Sequence, residues 1–343
     1  MASKKPIYVS LDLGTAYTLV YISGQGIVYN EPSIVAYKIP ENRIVAVGNE
    51  AYKMIGKANK NLRIIRPMVN GVITDAKATQ AQLNYIFKRL RIEKFLKNSV
   101  VLLACPSVIT ELEKNALRKI ALNLGAAEVF VEEEVKMAAI GGGVRVDAPS
   151  GHLVVDMGGG TSDAAVLSAG EIVLSKSVKI AGNFLNEEVL KFIKSQYGLE
   201  IGIKSAEQAK IKIGSLAKYP DERSIKLYGR DVVSGLPREI EVTPQEMREV
   251  LKIPLSKIID LVVQVLEETP PELAGDIFRN GIVLCGGTAL IKGIDKYFAD
   301  TLQLPCKIAE NPLMSVINGT KKYESEVYDM LKELRSKSSD NAF

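Results

Sequence analysis

Tryptophan is absent from the 343 residues, histidine occurs once and cysteine three times. With His152 as the single histidine and no CxxC pair, neither a Ser-His-Asp triad nor a zinc site has its parts. His152, beside a strand start, reads as a surface-proximal residue. Cys105, Cys285 and Cys306 each sit in apolar surroundings and are odd in number. They read as buried thiols, not as a disulfide framework. No apolar run is long enough to cross a bilayer, and "MASKKPIYVS" is too short before its first strand for a signal peptide. An amphipathic N-terminal helix is also missing. The expectation is a soluble or peripheral cytoplasmic protein. Charge of neither sign dominates: the net charge is +4, with 24% charged and 47% apolar residues. That balance permits contact with an anionic surface but does not argue for nucleic acid. No low-complexity linker cuts the chain, so a chain of this length is expected to hold two or more closely packed subdomains.

What is present is one unusual device, used twice. "GHLVVDMGGGTSDAAVLSAG" places Asp156 at the end of an apolar strand, before Gly158, Gly159, Gly160 and Thr161, with a second apolar strand following. An ordinary tight turn would explain one such hairpin. "PIYVSLDLGTAYTLVYISGQ" repeats it, with Asp12 before Gly14 and Thr15. Glycine lets backbone amides approach an anion closely. A carboxylate beside phosphates is repelled unless a cation intervenes, and magnesium held mostly through its own waters fits that role. Two acid-tipped glycine hairpins predict a clamp for a magnesium-nucleotide polyphosphate.

Periodicity predicts strands at 6–11, 17–22, 26–29, 33–38, 100–104, 153–156, 163–168, 172–179 and 281–284. It predicts helices at 76–93, 110–123, 134–142, 184–196, 205–217, 244–267 and 291–301. Thr110 with Glu113 resembles a capping box, and Pro244 follows a Thr243 cap. The stretch 219–242 reads as hairpins of an appended subdomain, and the end of the chain as one helix with a loose polar tail. Other nucleotide devices fail on inspection. "GLEIGIKS" lacks the glycine that must precede the P-loop lysine, and "GGGVRVDAPSG" lacks the strand-GxGxxG-helix context of a dinucleotide fold.

The motifs, in order, resemble the MreB family of bacterial actin homologues, within the actin, Hsp70 and sugar-kinase superfamily. "DLGTAYTLVY" resembles the first phosphate motif, "DMGGGTSDAAVLS" the second and "GIVLCGGTALIKGIDKYF" the adenosine motif. "IRPMVNGVITD", "SAEQAKIKIGS" and "AENPLMSVINGT" match further family segments, so the resemblance covers nearly the whole chain. It implies the α/β actin-like ATPase fold: two duplicated RNase H-like domains, each with a smaller subdomain, and ATP in the cleft between the halves. Subdomain IA would be 1–32, 66–145 and 316–343, IB 33–65, IIA 146–180 and 240–315, and IIB 181–239.

Carried over residue by residue, Gly14, Thr15 and Ala16 match the first phosphate loop, and Gly158, Gly159, Gly160 and Thr161 the second. Asp12 and Asp156 match the acids that hold Mg2+ through water. Gly182, Glu207 and Lys210 match positions near ribose and base. Gly286, Gly287 and Thr288 would line the adenosine pocket of ATP or ADP, with Met314 covering one side. Glu134 in "FVEEEVKMAAIGGG" matches the water-positioning glutamate of hydrolysis, and Thr161 its partner. Glu132 and Glu133 are explained by the helix macrodipole alone. The chain departs from the family pattern at Val135 and Lys136, where Pro-Met is usual, at Tyr17 for asparagine, at Thr288 for a third glycine and at Asn183 for an acid.

The resemblance further implies slow ATP hydrolysis coupled to self-polymerisation, in paired antiparallel protofilaments at the inner face of the cell membrane, for cell shape or motility. Other bacterial cytoskeletal or morphogenesis proteins would be partners. "RLRIEKFLKNS" lies where the family inserts a loop into membrane, making Ile92, Phe95 and Leu96 candidates for insertion beside basic residues attracted to an anionic surface. The opposing reading is that they cap the core. A sugar-type kinase would use the same clamp but needs a substrate-side base and larger insertions, which are not found. A chaperone-type ATPase needs a further substrate-binding domain, for which the chain is expected to be too short.

Overall fold

The computed structural model describes residues 5–57, 60–107 and 109–340. They fall into two compact units, one of 5–54, 60–145 and 313–340, the other of 55–57 and 146–312.

The first unit is built on the strands Ile7–Leu13 (β1), Tyr17–Ile22 (β2) and Gly26–Pro32 (β3), an antiparallel meander. Val35–Lys38 (β4) and Arg43–Val47 (β5) pair with each other, the helix Asn49–Met54 (α1) follows, and Leu62–Ile65 (β6) pairs with β4. A two-residue ribbon, Met68–Val69 (β7) with Val72–Ile73 (β8), leads to the helix Ala76–Arg89 (α2), whose Asp75 cap accepts from the Ala78 amide. Ser99–Cys105 (β9) then lies parallel to β1, and Glu128–Glu133 (β10) parallel to β9, with the helix Glu111–Asn123 (α3) between them in sequence. The sheet order is β10-β9-β1-β2-β3. Every residue of β9 is buried, the pattern of a parallel strand covered on both faces. The short helix Glu134–Gly141 (α4) starts where β10 stops.

The second unit repeats that plan. His152–Met157 (β11), Ser162–Ser168 (β12) and Glu171–Val178 (β13) form an antiparallel meander. The helices Gly182–Tyr197 (α5) and Ile203–Ile213 (α6) flank a short strand, Leu199–Glu200 (β14), which joins the hairpin Ile225–Asp231 (β15) and Pro237–Val242 (β16). The long helix Pro244–Glu268 (α7) opens with the capping box of Thr243 and Glu246, and α3 with that of Thr110 and Glu113. Along α7, Met247, Leu251, Leu255, Ile258, Val262 and Val265 fall at helical spacing and all are buried, which is why this segment sits against the sheet. Pro271–Asn280 (α8), Ile282–Cys285 (β17), Ile294–Leu302 (α9) and Cys306–Ile308 (β18) complete the order β13-β12-β11-β17-β18. The two sheets thus share one topology, a meander followed by two parallel strands.

The chain then returns to the first unit with Ser315–Lys322 (α10) and Glu324–Asp340 (α11). α10 crosses α4 at two glycines: a Cβ on Gly141 would collide with Ser315 O, and one on Gly319 with Met137 O. Thr320 locks the crossing to β1, accepting from Tyr8 Oη at 2.6 Å on its carbonyl and bonding Ser10 Oγ at 2.7 Å.

Several boundaries differ from expectation. The helix predicted over 76–93 stops at Arg89, because Arg91 adopts a left-handed φ of 56° and 3-10 turns follow at Ile92–Lys94 and Leu96–Asn98. That break drops Ile92 and Leu96, 0% and 2% exposed, into the core with Phe95 packed half-buried against them. Hydrophobic burial inside the unit thus already uses Ile92 and Leu96, the core-capping alternative to membrane insertion, with Phe95 partly buried beside them. The helix predicted over 205–217 ends at Ile213, with Gly214 as its extended cap, and that over 291–301 begins only after Gly293, at φ 76°. The C-terminal helix runs on through "SKSSD" to Asp340.

Candidate nucleotide-binding site

In the first unit, the parallel register aligns Asp12 with Ala104 and Ala104 with Glu132, so Asp12 and the start of α4 share one end of the strands. This carboxyl end is where open α/β sheets present ligand sites. Asp12 is buried, 8% exposed, and burial pushes its carboxyl up to about 7 against the opposing Gly14 N–H bond. The Gly-Thr turn is pinned on three sides. Gly14 O accepts from Ser33 Oγ at 2.6 Å, Ala16 O from the Ser33 amide at 2.9 Å, and Thr15 Oγ1 from the Gly71 amide at 3.1 Å. Ser33 Oγ also meets Thr18 Oγ1, which accepts from Gln82 Nε2. Glu134 is the first residue of α4 and is 8% exposed. Met314, on the 3-10 turn Pro312–Met314, belongs to this unit, where its Sδ accepts from Asn30 Nδ2 at 3.8 Å.

The second unit gathers more of the expected residues at one place. Gly158 N donates to Thr161 O at 2.9 Å, closing the glycine turn. The first amides of α5 are directed at that turn: Gly182 N donates to Gly158 O at 3.1 Å and Asn183 N to Gly159 O at 2.8 Å. Thr288 Oγ1 donates to Gly158 O at 3.1 Å, so the hydroxyl here ties the adenosine motif to the phosphate loop. Lys210, on α6, donates to Gly182 O at 2.8 Å, and burial pulls its ammonium down to about 8, with nearby Glu207 acting in the opposite direction. A Cβ on Gly182 would stand 3.4 Å from Gly158 O and Lys210 Nζ. Gly286 has φ 81°, and a Cβ there would strike Met157 O and Asp156 Oδ1. Gly158–Thr161, Gly182, Lys210 and Gly286–Thr288 thus come together in one cradle, packed so closely at Gly286 that no side chain fits there.

The residues fit a hydrated divalent cation. Asp156 pairs directly with Asp163 across the hairpin, and both are buried, at 6% and 2% exposed. Two carboxylates on one face of adjacent strands repel each other, a cost that a cation relieves. Asp12, raised to about 7, equally gains from a cation replacing its proton. Among the described residues no three His, Cys, Asp or Glu side chains converge, so one or two carboxylates with water is the available donor set. Sequence reading missed Asp163, although period-two alternation about the glycine turn places it opposite Asp156. It also missed Ser33 and Gly71, for which no local pattern in the sequence gives a signal.

Comparison with known proteins agrees with this arrangement. A family model described as MreB/Mbl protein matches residues 7–332. The cell shape-determining protein Mbl of Bacillus cereus (strain ATCC 10987 / NRS 248) is 45% identical over 314 residues, 91% of this chain and 94% of that protein. The cell shape-determining protein MreB of Escherichia coli (strain K12) is 40% identical over 316 residues, 91% of each chain. The crystal structure of MreB 5 of Spiroplasma citri bound to AMPPNP superposes with a TM-score of 0.94 at 52% identity, covering 96% of this chain and 99% of that one. At 20% identity and a TM-score of 0.77, the MamK double helical filament, covering 93% of this chain and 98% of that one, shares the actin-like fold. With an actin-like fold and a family match over nearly its whole length, the chain belongs to the MreB/Mbl family of cell shape-determining proteins.

Proposed function

We propose that this protein is a cytoskeletal ATPase that binds Mg2+-ATP and polymerises into filaments, with slow hydrolysis acting as a timer on subunit contacts. The observation that carries the reading is the cradle around Gly158–Thr161, where the start of α5, Thr288 and Lys210 converge on one glycine turn and the Gly286 backbone packs against Met157 and Asp156 beside it. A 52% identical relative binds AMPPNP, and another structure of MreB5 of Spiroplasma citri binds ADP. Gly14, Thr15 and Ala16 serve the phosphates from the first hairpin, and Gly182, Glu207, Lys210 and Gly286–Thr288 the ribose and base.

Magnesium, bound through water at Asp12 and Asp156, would neutralise phosphate charge. Glu134 orients or deprotonates the attacking water, and the Thr161 hydroxyl supports it. The amides of the glycine turn bind the phosphate oxygens. Attraction to an anionic membrane rests on exposed cations such as Arg91, Lys94 and Lys97, not on the buried apolar residues between them. Each compact unit is assigned a large and a small subdomain, divided at residues 33–65 and 181–239.

Sedimentation with Mg2+-ATP, Mg2+-ADP or no nucleotide tests the proposal. Nucleotide-dependent pelleting with measurable phosphate release is expected. A monomer that phosphorylates a sugar would replace this reading with that of a small-molecule kinase.

A further inference from the structure

Lys136 stands where it should be costly. It occupies the third residue of α4, near the positive end of a helix dipole, and is 6% exposed. Its Nζ lies 3.9 Å from Glu132 Oε2 and 5.4 Å from the centre of the Tyr323 ring. Glu132 belongs to β10, so this ion pair spans the strand-to-helix junction with Glu134 between the two partners. Tyr323 is the residue between α10 and α11, directly after the helix α10 that packs on α4 through Gly141 and Gly319. Lys322 reinforces the contact from the other end, its Nζ donating to Ile140 O at 3.0 Å.

α4 is only eight residues long, and its Glu133 cap makes no side-chain capping bond. A helix this short has little stability of its own, so its direction is set by what it packs against. Buried ion pairs add little net stability but can specify one arrangement over its neighbours. We propose that Lys136 is a positioning residue: through Glu132 and Tyr323 it fixes the bend at which α4 begins and so aims the Glu134 carboxylate at its water. This rests on the reading of Glu134 as the water-orienting group. It also gives a role to a lysine at the point where the family pattern usually has methionine. In this role Lys136 acts through the backbone that carries Glu134.

The test uses the full-length protein carrying Lys136→Met, Lys136→Arg or Glu132→Gln. The measurements are phosphate release at saturating Mg2+-ATP, affinity for a fluorescent ATP analogue with Mg2+, the thermal midpoint, and amide hydrogen exchange over 132–142. Lys136→Met is expected to slow kcat roughly 10- to 100-fold, the cost of a small misplacement of a catalytic group, while affinity and midpoint stay close to wild type. Exchange over α4 should quicken, Lys136→Arg should recover most of the rate, and Lys136→Met should add nothing in a Glu134→Ala background. Glu132→Gln carries the same expectation should Lys136→Met not fold. A Lys136→Met protein with wild-type kcat, one losing rate, affinity and midpoint together, or one slowing equally without Glu134 overturns the proposal. A wild type that binds but never hydrolyses ATP overturns the hydrolytic role of Glu134 and this inference together. Wild-type hydrolysis with an indifferent Lys136 overturns this inference alone.

Discussion

Asp12 shows how a single buried carboxyl sets a pH dependence. Its folded pKa is raised from 3.8 to about 7 by burial, so between those values the folded chain holds a proton the unfolded chain has released. Without divalent metal, stability should therefore fall as pH rises from about 4 to about 7 and level off above. Asp12→Asn should flatten this profile, and thermal midpoints measured in chelator across that range check it. Glu134→Ala should lower ATP hydrolysis about 10²- to 10⁴-fold with Mg2+-ATP still bound, the usual cost of removing a positioned acid or base; steady-state phosphate release beside a binding titration decides. Leu96 separates two readings of one residue. Because it is 2% exposed in the core, Leu96→Ala should cost about 2–5 kcal/mol in denaturant unfolding, whereas a side chain held for membrane insertion would leave that midpoint unmoved. At this scale the glycines and acids were legible because turn chemistry is local. Ser33, Gly71 and Asp163 were harder, since their partners come from other strands and loops.

Elements were read best where their ends carry their own chemistry. Thr110 with Glu113 and Thr243 with Glu246 cap α3 and α7 as the sequence suggests, because a capping box needs only four consecutive residues. Thr243→Ala should accordingly destabilise the second unit by about 1 kcal/mol, visible as a lower unfolding midpoint. The glycine hairpins were equally plain, since apolar strands bracket them. The segment 90–98 was not. Ile92, Phe95 and Leu96 keep an i, i+3, i+4 spacing of their own, and only tertiary burial shows that the chain turns left-handed at Arg91 to bury Ile92 and Leu96. β10 and α10 were also missed. β10 ends in Glu132 and Glu133, which with Glu134 look like a helix start, and α10 is a short segment whose glycine marks a close crossing, not a break.

At the scale of the whole molecule, the doubled sheet topology was foreshadowed by the doubled hairpin, and the family motifs fixed the fold. The return of the chain into the first unit was foreshadowed only by that resemblance, because nothing local in residues 315–340 names their partners. A ligand that binds only the folded state should raise the thermal midpoint with concentration, so Mg2+-ATP in excess should stabilise the wild type more than Asp156→Asn. Differential scanning fluorimetry with and without nucleotide measures this. The crossing of α10 over α4, with Thr320 bonded to Tyr8 and Ser10, has a consequence for synthesis. On the ribosome the second unit, nearly all one continuous stretch, has its whole sequence available first. The first unit must wait for α10 and α11 to leave the exit tunnel before it can close, so β1 to β3, made before the second unit, are secured after it.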